Sequence, residues 1–250
     1  MPQADDHSFF DSRTGAHGRR PYRPQPTLER FFELLIAGDR VGSRDFLREF
    51  LGDGRDSIEA LTRFVWPACA MIDSLSRKDQ ISAVHEQCAL LLLGQVTQRL
   101  EPGLEKHPAR CRTVLVTSGR TRSEELAAEV FAGICEADGF DVVLLGGGVE
   151  WDDLYAYVGQ RCPDFVVSFA AAGADAPKIR RLIDTLRTHN PVPGLRIGVG
   201  GGVFERVPGL ADEIGAHFSG DSPFEMLDAL RTDADSLRAV PRNIPRSKAA

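Results

Sequence analysis

Residues 112–148 read RTVLVTSGRTRSEELAAEVFAGICEADGFDVVLLGGG, and this stretch limits the fold more than any other. Residues 113–116 are an apolar run rich in β-branched side chains, the composition of a buried strand. Leu126, Ala127, Val130, Phe131 and Ile134 then recur at helical spacing. Asp138 and Gly139 stop that helix, and Gly139 suits the left-handed position that follows a helix end. Residues 140–145 form a second apolar run. A strand, a helix and a strand of these lengths make a right-handed crossover in a parallel sheet. Ligands of such sheets lie at the carboxyl ends of the strands. That places Gly119, Arg120 and Arg122, in the loop after the first strand, at a candidate site.

The alternation continues downstream. Strands are expected at 113–117, 141–145, 164–169, 196–199 and 216–218. Helices are expected at 122–137, 151–161, 175–188, 206–213 and 222–231. Residues 110–232 therefore read as a five-stranded doubly wound α/β domain of flavodoxin-like order. Residues 233–250 are polar with two prolines and read as a flexible tail.

Upstream the periodicity is purely helical. Residues 27–101 hold four amphipathic segments, which predict a small helical bundle. Thr27 caps the first, which carries Phe31, Leu34 and Leu35. Gly38 and Asp39 break it, and a second helix is expected over 45–51. The third spans 57–75 and must kink or restart at Pro67. The fourth spans 80–100. Residues 1–26 are polar and Pro/Gly-containing, and read as a flexible arm with one apolar spot, Phe9-Phe10.

Composition excludes several function classes. The net charge of −6 offers no basic footprint for direct nucleic-acid binding. No apolar run reaches the length of a membrane span, and residues 1–26 lack a signal-peptide core. The five cysteines are scattered without a C-x-x-C pair, the usage of a reduced, cytoplasmic protein. There is no nucleophile elbow, phosphate-binding loop or spaced acid–histidine set, so no enzyme activity is expected.

A bundle followed by a five-stranded α/β domain resembles the cobalamin-binding modules of methionine synthase, methyltransferase corrinoid proteins and light- or redox-responsive regulators. The resemblance covers roughly residues 28–231 and rests on three α/β segments. They are DGFDVVLLG at 138–146, FVVSF at 165–169, and GVGGGV at 198–203 followed by EIGA at 213–216. Within the bundle, Trp66-Pro67-Ala68 and residues 81–86, ISAVHE, add to it. The resemblance implies that Ser168 contacts a nucleotide tail. It also implies that Gly200, Gly201 and Gly202 let backbone approach the ligand, with Gly201 the position where a side chain would most fill ligand space.

The departures from the pattern are specific. The family's lower metal ligand is the His of a D-x-H-x-x-G loop, and here Arg122 stands at the His and Glu125 at the Gly. A guanidinium has no lone pair to give a metal. A histidine placed at 122 is expected to restore that ligation. In the bundle, Ser76 replaces the capping Trp, and Glu86-Gln87 replaces the Glu-His pair. His85 lies one residue away, about 100° around the helix, and is the candidate metal ligand. Trp66 is a candidate pocket residue alongside Glu86 and Gln87. Arg120 and Arg122 are placed to hold carboxylates, which suits a haem or bilin better than amide-capped cobalamin.

Two functions follow from the resemblance. The first is a non-enzymatic sensor or regulator binding a corrinoid without the lower His, another tetrapyrrole (haem or bilin), or no ligand. It would act through a protein partner such as a transcription regulator. The alternative is a corrinoid carrier subunit whose partner is a cobalamin-dependent methyltransferase.

Overall fold

The computed structural model of the protein describes residues 27–171 and 173–236. The expected arm, 1–26, and residues 237–250 of the expected tail lie outside the described residues.

The bundle is built from capped amphipathic helices. α1 (Leu28–Ile36) starts where the Thr27 hydroxyl accepts the Arg30 amide. α2 (Arg40–Gly52) begins earlier than its apolar pattern, because the Asp39 carboxylate accepts the amides of Val41 and Gly42. Those donors have no intrahelical partner, and the cap supplies one. α3 (Ser57–Ala60), a π-helical turn (Leu61–Val65) and α4 (Trp66–Arg77) run on as one helix. Pro67 cannot donate an amide hydrogen, and the wider turn before it absorbs the missing bond. α5 (Ala83–Leu100) is capped by Ser82. Phe31, Phe46, Phe50 and Phe64 stack together between these helices, with ring centroids 4.9–5.9 Å apart.

The connection to the α/β half is pinned. The His107 amide donates to the Ala137 carbonyl at 2.7 Å, and the Arg110 amide to the Gly139 carbonyl at 2.8 Å. The α/β half then runs β1 (Thr113–Ser118), α6 (Arg122–Ala137), β2 (Asp141–Leu144), α7 (Trp151–Arg161), β3 (Phe165–Phe169) and α8 (Ala176–His189). β4 (Arg196–Gly200), α9 (Gly202–Arg206), α10 (Leu210–Glu213), β5 (Phe218–Gly220) and α11 (Pro223–Ser236) complete it. All strand pairs are parallel, in the order β2-β1-β3-β4-β5. This is the flavodoxin-like order, with its switch point between β1 and β3. At the carboxyl ends Thr117 pairs with Ser168, and Phe169 pairs with Gly200.

In the α/β half three elements differ from the sequence expectation by two residues or more. The single helix expected over 206–213 is two short ones, separated at Pro208 and at Gly209 with φ +84°. The last strand starts two residues later than expected. α11 runs to Ser236, through the start of the expected tail, because Leu230 and Ala234 are buried and Asp233 pairs with Arg196.

Two cores flank the sheet. On one face Leu115, Val166, Ile197 and Val199 pack against α7 and α8. On the other, Val114, Val116, Phe165, Val167 and Phe169 pack under α6 and α11. α5 lies along α6, so this second core continues without interruption into the bundle. Bundle and sheet are one hydrophobic unit rather than a cap on a hinge.

Candidate functional site

α4 crosses the carboxyl ends of β3 and β4, and a cleft of about 230 Å³ lies between them. Trp66, Cys69, Ala70, Asp73, Ser74 and Arg77 form the bundle wall. Ser123, Glu124 and Ala127 from α6, the β3 end with Phe169 to Ala171, and Gly201, Gly202 and Glu205 form the other. Arg77 and Glu205 are exposed at the mouth.

The charges in the cleft are largely satisfied by one another. Arg77 Nη1 lies 2.5 Å from Asp73 Oδ2. Arg206 also approaches Asp73, at 3.9 Å, and donates to the Ala171 carbonyl. The Cys69 thiol is pushed up to about 12, first by burial and then by the Asp73 carboxylate, against a smaller opposing effect of Arg122. It is therefore a neutral thiol rather than a thiolate ligand at ordinary pH.

Glu124 is the least expected member. Only 2% exposed, it sits at the β1–β3 switch point. The Thr121 hydroxyl accepts the Glu124 amide at 3.3 Å while the Glu124 carboxylate accepts the Thr121 amide at 2.9 Å, a reciprocal cap for α6. The same carboxylate accepts the Ala171 amide at 2.5 Å, tying the β1 and β3 loops together. Gly119 carries no side chain where this carboxylate lies. The Thr121-Arg122-Ser123-Glu124 spacing was the readable signal for this group.

Of the residues singled out by sequence, the structure brings Trp66, Gly201 and Gly202 to the cleft. Arg120 is not there: it is exposed and pairs with Glu150 at 3.0 Å. Arg122 points away toward α5, where its guanidinium lies on Gly94 and pairs with Glu129 at 2.7 Å and Glu125 at 3.1 Å. The clamp proposed for haem or bilin carboxylates is thus spent on the protein's own carboxylates. Ser168 is 2% exposed within β3 and does not line the cleft. Gly200 faces Met226 and Phe169, so its missing side chain accommodates packing rather than a ligand. Gly201 has φ +98° and packs on the Ala170 backbone, which is why only glycine suits it.

The start of α5 does not face the cleft either. Glu86 accepts a hydrogen bond from the Ser76 hydroxyl at 2.7 Å, and Gln87 is exposed. His85 is exposed, with Nδ1 2.8 Å from the Ser82 hydroxyl, so it belongs to the helix cap rather than to a metal. His217 Nδ1 accepts the Ile197 amide at 2.9 Å, and His189 packs on Tyr155. Among the described residues no group of three or more His, Cys, Asp or Glu is placed to hold a metal ion.

Cobalamin, the group implied by the resemblance, brings its own equatorial ligands, and the family pattern adds one axial donor from the protein. The cleft supplies none in usable form: no histidine lines it, Cys69 is protonated, and Glu124 is held by backbone amides. The volume is also below the ~300–1,000 Å³ that encloses a drug-sized ligand, and a corrinoid is larger still. The residues present do not fit a corrinoid ligated by the protein and enclosed in this cleft.

A profile of the B12 binding domain family matches residues 112–228. The monomethylamine corrinoid protein of Methanosarcina barkeri superposes with a TM-score of 0.71 at 15% identity, covering 83% of this chain and 96% of that one. A cobalamin-binding protein from Desulfitobacterium hafniense DCB-2 gives 0.43 at 17% identity, covering 82% and 98%. The methanol:cobalamin methyltransferase complex of M. barkeri gives 0.45 at 13% identity, covering 86% and 81%. No curated protein matches by sequence. The first superposition establishes the shared fold across bundle and sheet. Residues 112–228 belong to the B12-binding domain family.

Proposed function

We propose that this chain is a non-enzymatic, corrinoid-binding regulatory module that holds its ligand without a protein ligand on the metal and signals through a protein partner. The observation that carries this reading is the cleft itself. It lies between α4 and the carboxyl ends of β3 and β4, at the ligand edge of a B12-binding-family sheet. Trp66 offers a flat apolar wall, and Asp73, Ser74, Arg77 and Glu205 offer partners for the amide rim of a corrin. Arg122, which the resemblance sets at the position of the metal-binding histidine, is engaged by Glu125 and Glu129.

A second reading, a corrinoid carrier subunit serving a methyltransferase, is supported by the fold shared with the monomethylamine corrinoid protein over nearly its whole length. One experiment separates the two. The protein is titrated with aquocobalamin by calorimetry while its visible spectrum is recorded, with haemin and biliverdin as controls. The module reading expects saturable cobalamin binding with no protein nitrogen on the metal and no binding of either control. A protein-nitrogen-ligated spectrum moves the conclusion to the carrier. Absence of cobalamin binding overturns both.

A further inference from the structure

We infer that this chain fills the space beneath its cleft with its own side chains, so that it accepts only a corrinoid whose nucleotide tail is absent or folded back on its own metal. The inference rests on the corrinoid reading above and narrows its ligand class. A molecule seated in the cleft has two inward routes for a long appendage. One runs down between α6 and α11 over the ends of β3 and β4. The other enters the switch point between β1 and β3.

Both are closed. The cleft floor is Phe169, 1% exposed, with the Phe131 ring 5.3 Å behind it. Met226, fully buried, stands over Gly200 with its methyl group 2.8 Å from where a β-carbon there would lie. The Phe218 ring covers Gly198 in the same way. Gly200 at the end of β4 and Gly198 in its middle therefore receive a thioether and an aromatic ring of the chain itself. At the switch point the Glu124 carboxylate takes the Ala171 and Thr121 amides, the donors an incoming anionic or polar tail would need. Nor does the roof swing away, because α4 belongs to a bundle that shares one continuous core with α6 and the sheet. A rigid appendage must remain on the solvent side, past Arg77 and Glu205.

The test uses the full chain and three probes: aquocobalamin, cobinamide (which lacks the nucleotide) and free 5,6-dimethylbenzimidazole, the base of the tail. The expected result is that cobalamin and cobinamide bind within about threefold of each other. Bound cobalamin keeps its base-on absorption spectrum, and the free base leaves the melting temperature unchanged. Cobalamin binding about tenfold or more tighter than cobinamide overturns the inference, as does a base-off spectrum or a melting temperature raised by the free base. If neither corrinoid binds, the corrinoid reading falls and the free-base arm alone decides whether the space is filled.

Discussion

Replacing Arg122 by His separates what the loop pattern suggests from what the fold permits. By sequence, Arg122→His rebuilds the metal-binding position of the family. In the structure Arg122 is the first residue of α6, and its side chain runs toward Gly94 on α5, not into the cleft. Its Nη1 and Nη2 donate to the two Glu129 oxygens at 2.7 and 3.2 Å, and Nη1 also reaches Glu125 at 3.1 Å. An imidazole is too short and lacks the planar fork for that bidentate pair. Breaking a buried ion pair costs about 3–5 kcal/mol. The Arg122 side chain is 23% exposed, so solvent lowers the expected loss to about 2–3 kcal/mol. For a domain of this size that is a fall of about 4–12 °C in melting temperature. Glu129 is also left beside Glu125 with no cation between them. The assays are thermal denaturation followed by circular dichroism and the absorption spectrum of added cobalamin. The expected outcome is a lower melting temperature and the same cobalamin spectrum in both proteins. A variant as stable as the wild type, or a nitrogen-ligated spectrum in the variant alone, refutes the reasoning.

Asp138→Asn should cost about 2–3 kcal/mol, since the carboxylate joins Arg110 at 2.8 Å and Arg231 at 2.6 Å and so ties the linker, α6 and α11 together. Burial pushes its pKa up, but hydrogen bonds from Arg231 and Arg110 outweigh that and hold it below the ordinary 3.8. That stabilisation is fully present above 3.8 and is lost as pH falls through the lowered folded value. The stability gap between wild type and variant, from urea titrations, therefore stays constant down to about pH 5 and narrows as pH falls below 3.8; a gap that does not narrow there contradicts it. Gly201→Val should destabilise the whole fold by about 1–3 kcal/mol or more, because φ is +98° and the new side chain meets the Ala170 backbone. A urea midpoint equal to the wild type's would refute that account. At pH 8 the exposed Cys88 and Cys111 should react with a disulfide reagent within minutes, while Cys69, with its pKa near 12, stays silent until denaturant is added. Peptide mapping showing Cys69 labelled in the native protein would contradict its burial.

Local chemistry made much of this fold readable in advance. The β-branched runs at 113–116 and 165–167, the helical period of 126–134 and the turn at Gly139 act over a few residues, and each appears where its pattern lies. The parallel sheet and its crossovers follow from that alternation because a right-twisted strand leaves one route back to the sheet. Even the Glu124 cap was written in the Thr121-to-Glu124 spacing. Asp39 was a readable cap too, though its effect on where α2 starts is a matter of one carboxylate finding two amides.

The site was decided elsewhere. Sequence shows which residues follow each strand but not where their side chains end. Arg120 and Arg122 are two positions apart, yet Arg122 goes to the bundle and Arg120 to Glu150. Gly200 looks like room for a ligand, and it is room for Met226, a residue 26 positions further on. His85 and Trp66 both lie on bundle helices, but only Trp66 faces the sheet, because the packing of α5 on α6 sets the rotation of the whole bundle. Strand and helix formation depend on neighbours in sequence, whereas the space left at the sheet edge depends on contacts between residues far apart in the chain, and those exist only once the two cores have closed.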